Sequence, residues 1–242
     1  MKRSNLITII EAYVKKEMTA KHSDLMIAHD YKHVDRVRNW ALTIAKSESF
    51  KDLELVEVTA LLHDIGLGQM SERVERKNHA LVGAEIAREF LKGNSILSSG
   101  QIELITDAIS YHSLAPSVVI HHLGTLGEKG KLLEIIRDGD NLDAFGATGI
   151  MRACSSKYSL PDYDPQNLKG IAWGLSAAEF WSSRGLESRG GQIPVNNIID
   201  QINQQIRYYD HLHTKTAKRL GEALVQYMKD FILQLEREIV HA

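Results

Sequence analysis

The stretch Ala60–Gly68, ALLHDIGLG, ends an apolar helical run on His63 and Asp64 and follows them with two glycines. Four more ionisable residues recur at or beside the inward face of a predicted turn of helix. His33 lines up with Val37, Trp40, Ala41 and Ile44, and His79 sits above Val82, Gly83, Ile86 and Phe90. Ile102, Ile105, Ala108 and Ile109 lead to His112, just as Val56 and Ala60 lead to His63 and Asp64. Asp140 follows Leu133 and Ile136 and precedes Ala144, whereas its neighbour Asp138 falls with Glu134, Asn141 and Phe145 on a more polar face and is expected to matter much less. A carboxylate buried without a partner is expensive, and a divalent cation is one of the few remedies. Helical bundles build metal sites in this way, from side chains on facing helices. The mixed nitrogen and oxygen donors suit Mn, Fe, Co, Ni, Zn or Mg and single out none of them.

The elements that must carry these residues are helical nearly throughout, with no convincing strand alternation. The spacing predicts helices near residues 4–18, 24–47, 53–64, 79–92, 101–112, 131–153, 196–211 and 214–239, hence an all-α, compact multi-helix bundle. In the last of these, Ala217, Leu220, Leu224, Met228, Phe231, Leu235 and Ile239 recur at spacings of three and four, and Thr214 is the expected N-cap. The texture changes after Ser155, where three of the four prolines (Pro161, Pro165, Pro194), several glycines and the aromatics Tyr158, Tyr163, Trp173, Phe180 and Trp181 gather. The expected organisation is a helical metal-binding domain over 1–153, a loop excursion or lid over 154–197 with one short helix near 175–184, and C-terminal helices over 198–242 that pack on the same domain. A formal net charge of −2 argues against general attachment to nucleic acid or an anionic membrane. The single cysteine, Cys154, excludes an internal disulfide. No run approaches the ~18 apolar residues of a membrane span, so a cytoplasmic protein without membrane attachment is the expectation.

The ordered set of motifs resembles the HD-domain metal-dependent phosphohydrolases, whose signature is a histidine, an adjacent His-Asp pair and a distant Asp. HDYKHVDRV supplies His33, LLHDIG supplies His63 and Asp64, and IIRDGDNLDAFGATGIMRA supplies Asp140. The last stretch is similar to a segment of the small stand-alone bacterial members, with Gly139 in place of the usual alanine and Asn141 in place of the usual arginine. The resemblance implies a metal held by His33, His63, Asp64 and Asp140, with Asp64 and His63 at the catalytic centre. His79 and His112, in NHALVGAEIA and AISYHS, look like the added ligands of branches that hold two metals with Asp64 bridging; lining the pocket is the other reading. Gly66 and Gly68 are expected to let the backbone turn away from the site.

The activity implied is hydrolysis of a phosphorylated small molecule, with one or two divalent ions per chain polarising the phosphoryl group and acidifying a water. A nucleoside or deoxynucleoside triphosphate cut to monophosphate and pyrophosphate is the leading substrate class. A nucleoside monophosphatase, a phosphodiesterase, an HD-fold diiron oxygenase and a non-catalytic nucleotide sensor are the alternatives. Arg152 is the first candidate for a phosphate contact, followed by Lys157, Arg76 and Lys77. His29 and Asp30 are available either to orient His33 or to form a cap or turn, and His121 and His122 fall among glycine-rich residues with no assigned role. The long last helix either completes the core or pairs with a second copy of the chain.

Overall fold

The computed structural model of the chain describes residues 3–19, 27–69, 79–94, 97–182 and 193–241. Their α-helices are α1 (Arg3–Thr19), α2 (Tyr31–Ser47), α3 (Leu53–Leu62), α4 (His79–Asn94), α5 (Ser99–Tyr111), α6 (Pro116–Leu126), α7 (Lys131–Asp143), α8 (Gly146–Ser156), α9 (Ala177–Ser182), α10 (Ile198–Ile206) and α11 (Lys215–Val240). No strand occurs among the described residues, so the chain is all-α as its periodicity implies. Helix starts follow local chemistry: side chains of Asp30, Asp52, Ser98, Asn197 and Thr214 accept from the first-turn amides of α2, α3, α5, α10 and α11. Ser98 and Gln101 close a reciprocal capping box.

Three expectations change. The second helix begins at Tyr31 rather than near 24, because extended Asp30 caps it by accepting from the His33 amide at 3.1 Å. The helix expected over 131–153 is two helices, broken where Gly146 takes a left-handed φ of 66° that an L side chain rarely adopts. His121 and His122 lie on a helix, α6, not in a loop; Pro116 starts it where a missing amide proton costs nothing. There His122 stacks on Tyr111 with ring centroids 3.5 Å apart and bonds Asp107 at 2.9 Å.

The core forms where α2 packs on α3 and α7, and α5 on α3, α4 and α7. Buried Val34, Val37, Ala41, Ile44, Val56, Ala60, Ile105, Ile109, Leu133 and Ile136 fill it. Gly139 lets α7 lie tight on α2, since a Cβ there would stand 3.2 Å from the backbone at Val37 and Ala41. On α4 the buried face is Ala80, Gly83, Ala84, Ala87 and Leu91, so the stripe expected through Val82 is rotated and Val82 is exposed. α10 and α11 pack on α8, and α11 also reaches α7.

Two consecutive residues of α7 tie distant segments. Arg137, 2% exposed, donates from Nη1 to the carbonyls of Tyr111, His112 and Leu114, satisfying the C-terminal end of α5. Asp138 is fully buried, which corrects its placement on a polar face. Its carboxylate accepts from the amides of His213 and Thr214 and from the Thr214 hydroxyl at 2.7–2.8 Å, docking the start of α11. Helical periodicity pointed Asp138 away from the core; α11 covers that side. Burial pushes its carboxyl up to about 6 against the pull of those donors. A raised value means the stability this group contributes is full below 3.8 and is lost as pH rises through about 6. Asp138→Asn does not titrate, so wild-type stability relative to this variant is expected to fall by about 3 kcal/mol between pH 3.5 and pH 7, as read by urea denaturation. A difference independent of pH would contradict this account of Asp138.

Candidate metal centre

Every member of the cluster sits at a helix end. His33 is in the first turn of α2 and His79 opens α4; His63 and His112 are the C-caps of α3 and α5; Asp140 is in the last turn of α7. The alternation of chain direction therefore delivers all of them to one end of the bundle. Asp64 follows His63 directly and leads into a 3₁₀ turn, Ile65–Gln69. Gly66 turns within this 3₁₀ segment without a positive φ. Its need is contact: a Cβ would lie 2.1 Å from the His79 carbonyl and 2.7 Å from the Gly83 amide, so a missing side chain seats α4 against the His-Asp pair. Gly68 likewise passes close to the Glu17 carbonyl of α1.

Asp64, 2% exposed, is the centre of the arrangement. Its Oδ2 lies 3.5 Å from both His33 Nε2 and His63 Nε2, while its Oδ1 lies 3.4 Å from His79 Nε2 and 3.3 Å from His112 Nε2. Asp140 Oδ1 stands 3.6 Å from His33 Nε2. These separations exceed ordinary hydrogen bonds of about 2.7–3.2 Å. They match the edges of a coordination polyhedron: a bond of about 2.1 Å places tetrahedral ligand atoms about 3.4 Å apart and adjacent octahedral ones about 3.0 Å apart. The sets His33, His63, Asp140 and His63, Asp64, His112 each present ligand atoms within 4.8 Å of one another.

The outer ring nitrogens fix which atom faces the cluster. His63 Nδ1 donates to the Ala60 carbonyl and His112 Nδ1 to the Ile109 carbonyl, both at 2.7 Å. His33 Nδ1 donates to Asp143 Oδ2 at 2.7 Å. Each leaves Nε2 aimed inward with its lone pair, and the buried Nε2 atoms of His33 and His63 have no hydrogen-bond partner. Orphaned lone pairs beside a buried carboxylate fit a divalent ion. Burial pushes His112 down to about 4, keeping it neutral as a ligand must be. At His33, burial and Arg152 oppose a positive charge, and Asp143, Asp64 and Asp140 outweigh them, raising its pKa. Burial opposes ionisation of Asp64, and electrostatic attraction from the neighbouring His63 with contacts from His112, His29 and His33 overcomes it, holding the carboxyl well below the usual range.

His29 meets the His33 ring edge-on, with centroids 5.1 Å apart. Its Nδ1 donates to Asp64 Oδ2 at 2.9 Å, and Asp30 serves as the cap. The carboxylate that does hold His33 is Asp143, absent from the sequence expectation; its only signal is its position one turn after Asp140, beside Ala144 and Phe145. Asp143 also accepts from Arg36 and from Arg152 Nη1, and Arg152 Nε donates to the Ala28 carbonyl at 3.1 Å. Lys157 is the C-cap of α8. Arg76 and Lys77 lie outside the described residues.

Residues 30–144 match the family model described as HD domain. The chain is 24% identical over 232 residues to the uncharacterized protein YpgQ of Bacillus subtilis (strain 168), covering 95% of this chain and 92% of that protein. Its fold resembles an HD-superfamily hydrolase from Bacillus thuringiensis, with a TM-score of 0.65, 20% identity and all of both chains covered. It also resembles Bacillus subtilis YpgQ in complex with ADP, with a TM-score of 0.60, 22% identity, and 98% of this chain and 97% of that one covered. No helix among the described residues is long and apolar enough to cross a membrane.

Two outcomes test the centre. Mn²⁺ at a hundredfold excess over its Kd is expected to stabilise the fold by about 3 kcal/mol, read as a rise in melting temperature that a chelator reverses. No rise with Mn, Fe, Co, Ni, Zn or Mg would contradict the fit. Gly66→Ala, which must push the first turn of α4 off Asp64, is expected to melt earlier and to lose most of the Mn²⁺-induced gain. Retention of the full gain would show that His79 does not need that seat.

Proposed function

The chain carries an HD domain, and from that premise we propose that it is a divalent-metal-dependent phosphohydrolase acting on a nucleotide. The observation that carries this reading is the buried Asp64 carboxylate, each oxygen of which faces a different pair of inward-pointing imidazole nitrogens. His33, His63, Asp64 and Asp140 would hold one ion, and His79 and His112, with the other Asp64 oxygen, a second. A divalent ion bound there supplies Lewis acidity toward a phosphoryl oxygen and lowers the pKa of water.

The chain's own residues then have distinct tasks. His29 holds Asp64 Oδ2, and Asp143 fixes the ring of His33. Arg152, anchored at Ala28 and Asp143, places a cation beside His33 where charge on phosphoryl oxygens can be met as it grows. Lys157, on the same helix, is a second candidate for that role. The edge at Asp140, its side chain 13% exposed beside fully buried His33 and His63, is the side from which a small molecule can approach while bulk water is excluded behind.

A nucleotide substrate draws support from the ADP complex of YpgQ. Cleavage of a nucleoside triphosphate breaks the bond between the α-phosphorus and its bridging oxygen, adds water there, and yields a monophosphate and pyrophosphate. The presence of His79 and His112 within 3.4 Å of Asp64 favours one other reading, an oxygen-activating diiron centre. Product chromatography separates them: Mn-loaded protein is expected to convert one or more of a panel of nucleoside tri-, di-, mono- and cyclic phosphates. No product from any, together with an oxygen-sensitive iron centre in protein purified anaerobically, would favour the oxygenase. Asp64→Asn and Asp140→Asn are each expected to reduce turnover at least about a hundredfold, since replacing even supporting residues of a metal site costs up to that much. Far-UV circular dichroism should stay helical in both. Unchanged turnover in both variants would overturn the site.

A further inference from the structure

His29 stands outside the four residues that the signature places on one ion, yet its ring is arranged like theirs. The rings of His33 and His63 have centroids 5.4 Å apart and planes at 67°. His63 and His112 stand at 5.2 Å and 86°, and His79 and His112 at 5.2 Å and 77°. His29 and His33 continue the series at 5.1 Å and 79°. Imidazoles that each aim one nitrogen at a shared centre splay edge to face in this way, and His29 is the next in the row.

Its donor atom fits as well. His29 Nδ1 lies 2.9 Å from Asp64 Oδ2. That separation serves a hydrogen bond, and it is equally an octahedral edge, about 3.0 Å between adjacent ligands at bonds of about 2.1 Å. His29, His33 and Asp64 present ligand atoms within 4.8 Å of one another, and atoms opposite each other across such an ion stand about 4.2 Å apart. The chain is pinned on both sides of the ring: Arg152 Nε donates to the Ala28 carbonyl, and the Asp30 side chain accepts from the His33 amide. His29 is therefore positioned before any ion arrives.

We infer that His29 is a fifth protein ligand, through Nδ1, of the ion held by His33, His63, Asp64 and Asp140. On binding, Nδ1 gives up its proton and Nε2 takes one from solvent, which reaches a side chain 19% exposed. The freed Nδ1 lone pair goes to the metal, and Asp64 Oδ2 exchanges the donated hydrogen bond for the same ion. A neutral ring adds a donor without disturbing the balance of two carboxylates against one divalent cation. A six-coordinate ion then keeps one open position instead of two. This rests on the metal centre described above. The competing role is an outer donor that leaves its Nδ1 proton on Asp64 while the metal binds.

The two roles differ in one ring nitrogen. His33, His63, His79 and His112 turn Nε2 to the cluster, so His29 is the ring there that would be metallated at Nδ1. Long-range proton–nitrogen NMR of the full chain, isotope-labelled at histidine nitrogen and titrated with Zn²⁺, reads this directly. Zn²⁺ is diamagnetic and among the ions that these donors suit. The expected spectrum holds Nε2-bound rings and one Nδ1-bound ring with its proton on Nε2; His29→Gln removes that signal and leaves the Nε2-bound rings in place. The variant is also expected to weaken Zn²⁺ at least about tenfold, but loss of an outer donor would do the same, and the nitrogen shift separates them. A His29 ring that keeps its Nδ1 proton in the zinc-loaded protein overturns the assignment and leaves the metal centre standing. Zn²⁺ that shifts no ring nitrogen overturns both. The wild-type spectrum decides even if the glutamine variant does not fold, since no other ring of the cluster turns Nδ1 inward.

Discussion

The arrangement depends on the burial of one carboxylate. Asp64 is almost out of contact with water, and an ionised carboxyl in that position is tolerable only if positive charge or donors surround it. The fold answers with imidazoles from α2, α3, α4 and α5, each brought in at a helix end, and with a pocket suited to a cation. The requirement acts on the backbone as well. Gly66 and Gly139 sit where helices must approach closely for those ends to meet, and neither place tolerates an ordinary side chain without movement.

Outside this first ring the same logic repeats at lower cost. The outer nitrogens of His63 and His112 are held by carbonyls three residues earlier, which use up acceptors that helix C-termini would otherwise leave bare. His33, on a helix N-terminal turn with no such carbonyl at hand, takes Asp143 instead. That substitution brings a second buried carboxylate, and with it Arg36 and Arg152. The cations at the rim are thus a consequence of where His33 falls on its helix.

Much of this was legible in the residues. The apolar stripes through His33, His63 and His112 coincide with buried faces, since local periodicity and burial agree where a helix is covered on one side. Asp138 departs from its local pattern for the opposite reason: what covers it is set by an element far away in the chain. Asp138 meets its partners 75 and 76 residues later, and no local pattern announces that. The break at Gly146 had a visible glycine but no cue to its φ, and α6 was masked by Gly124 and Gly127, which lower helix propensity without preventing a helix that docks Val119 into the core. Asp143 is the instructive omission. A carboxylate one turn beyond a candidate ligand lies on the same face, and its partner on another helix could only be recognised once α2 and α7 were side by side.

The clasp between Asp138 and Thr214 bears on how little of this chain could stand alone. The segment that matches the HD family model ends at residue 144, yet Asp138, two residues before Asp140, takes its donors from residues 213 and 214. A polypeptide ending after α8 would retain every residue of the His/Asp cluster and lose all three donors to that carboxylate. Its α7 would carry an acid stripped of its partners between Arg137, which anchors the His112 turn, and Asp140. The clasp on α7 therefore reaches beyond the segment that matches the family model, and the start of the C-terminal helix supports the helix that carries Asp140.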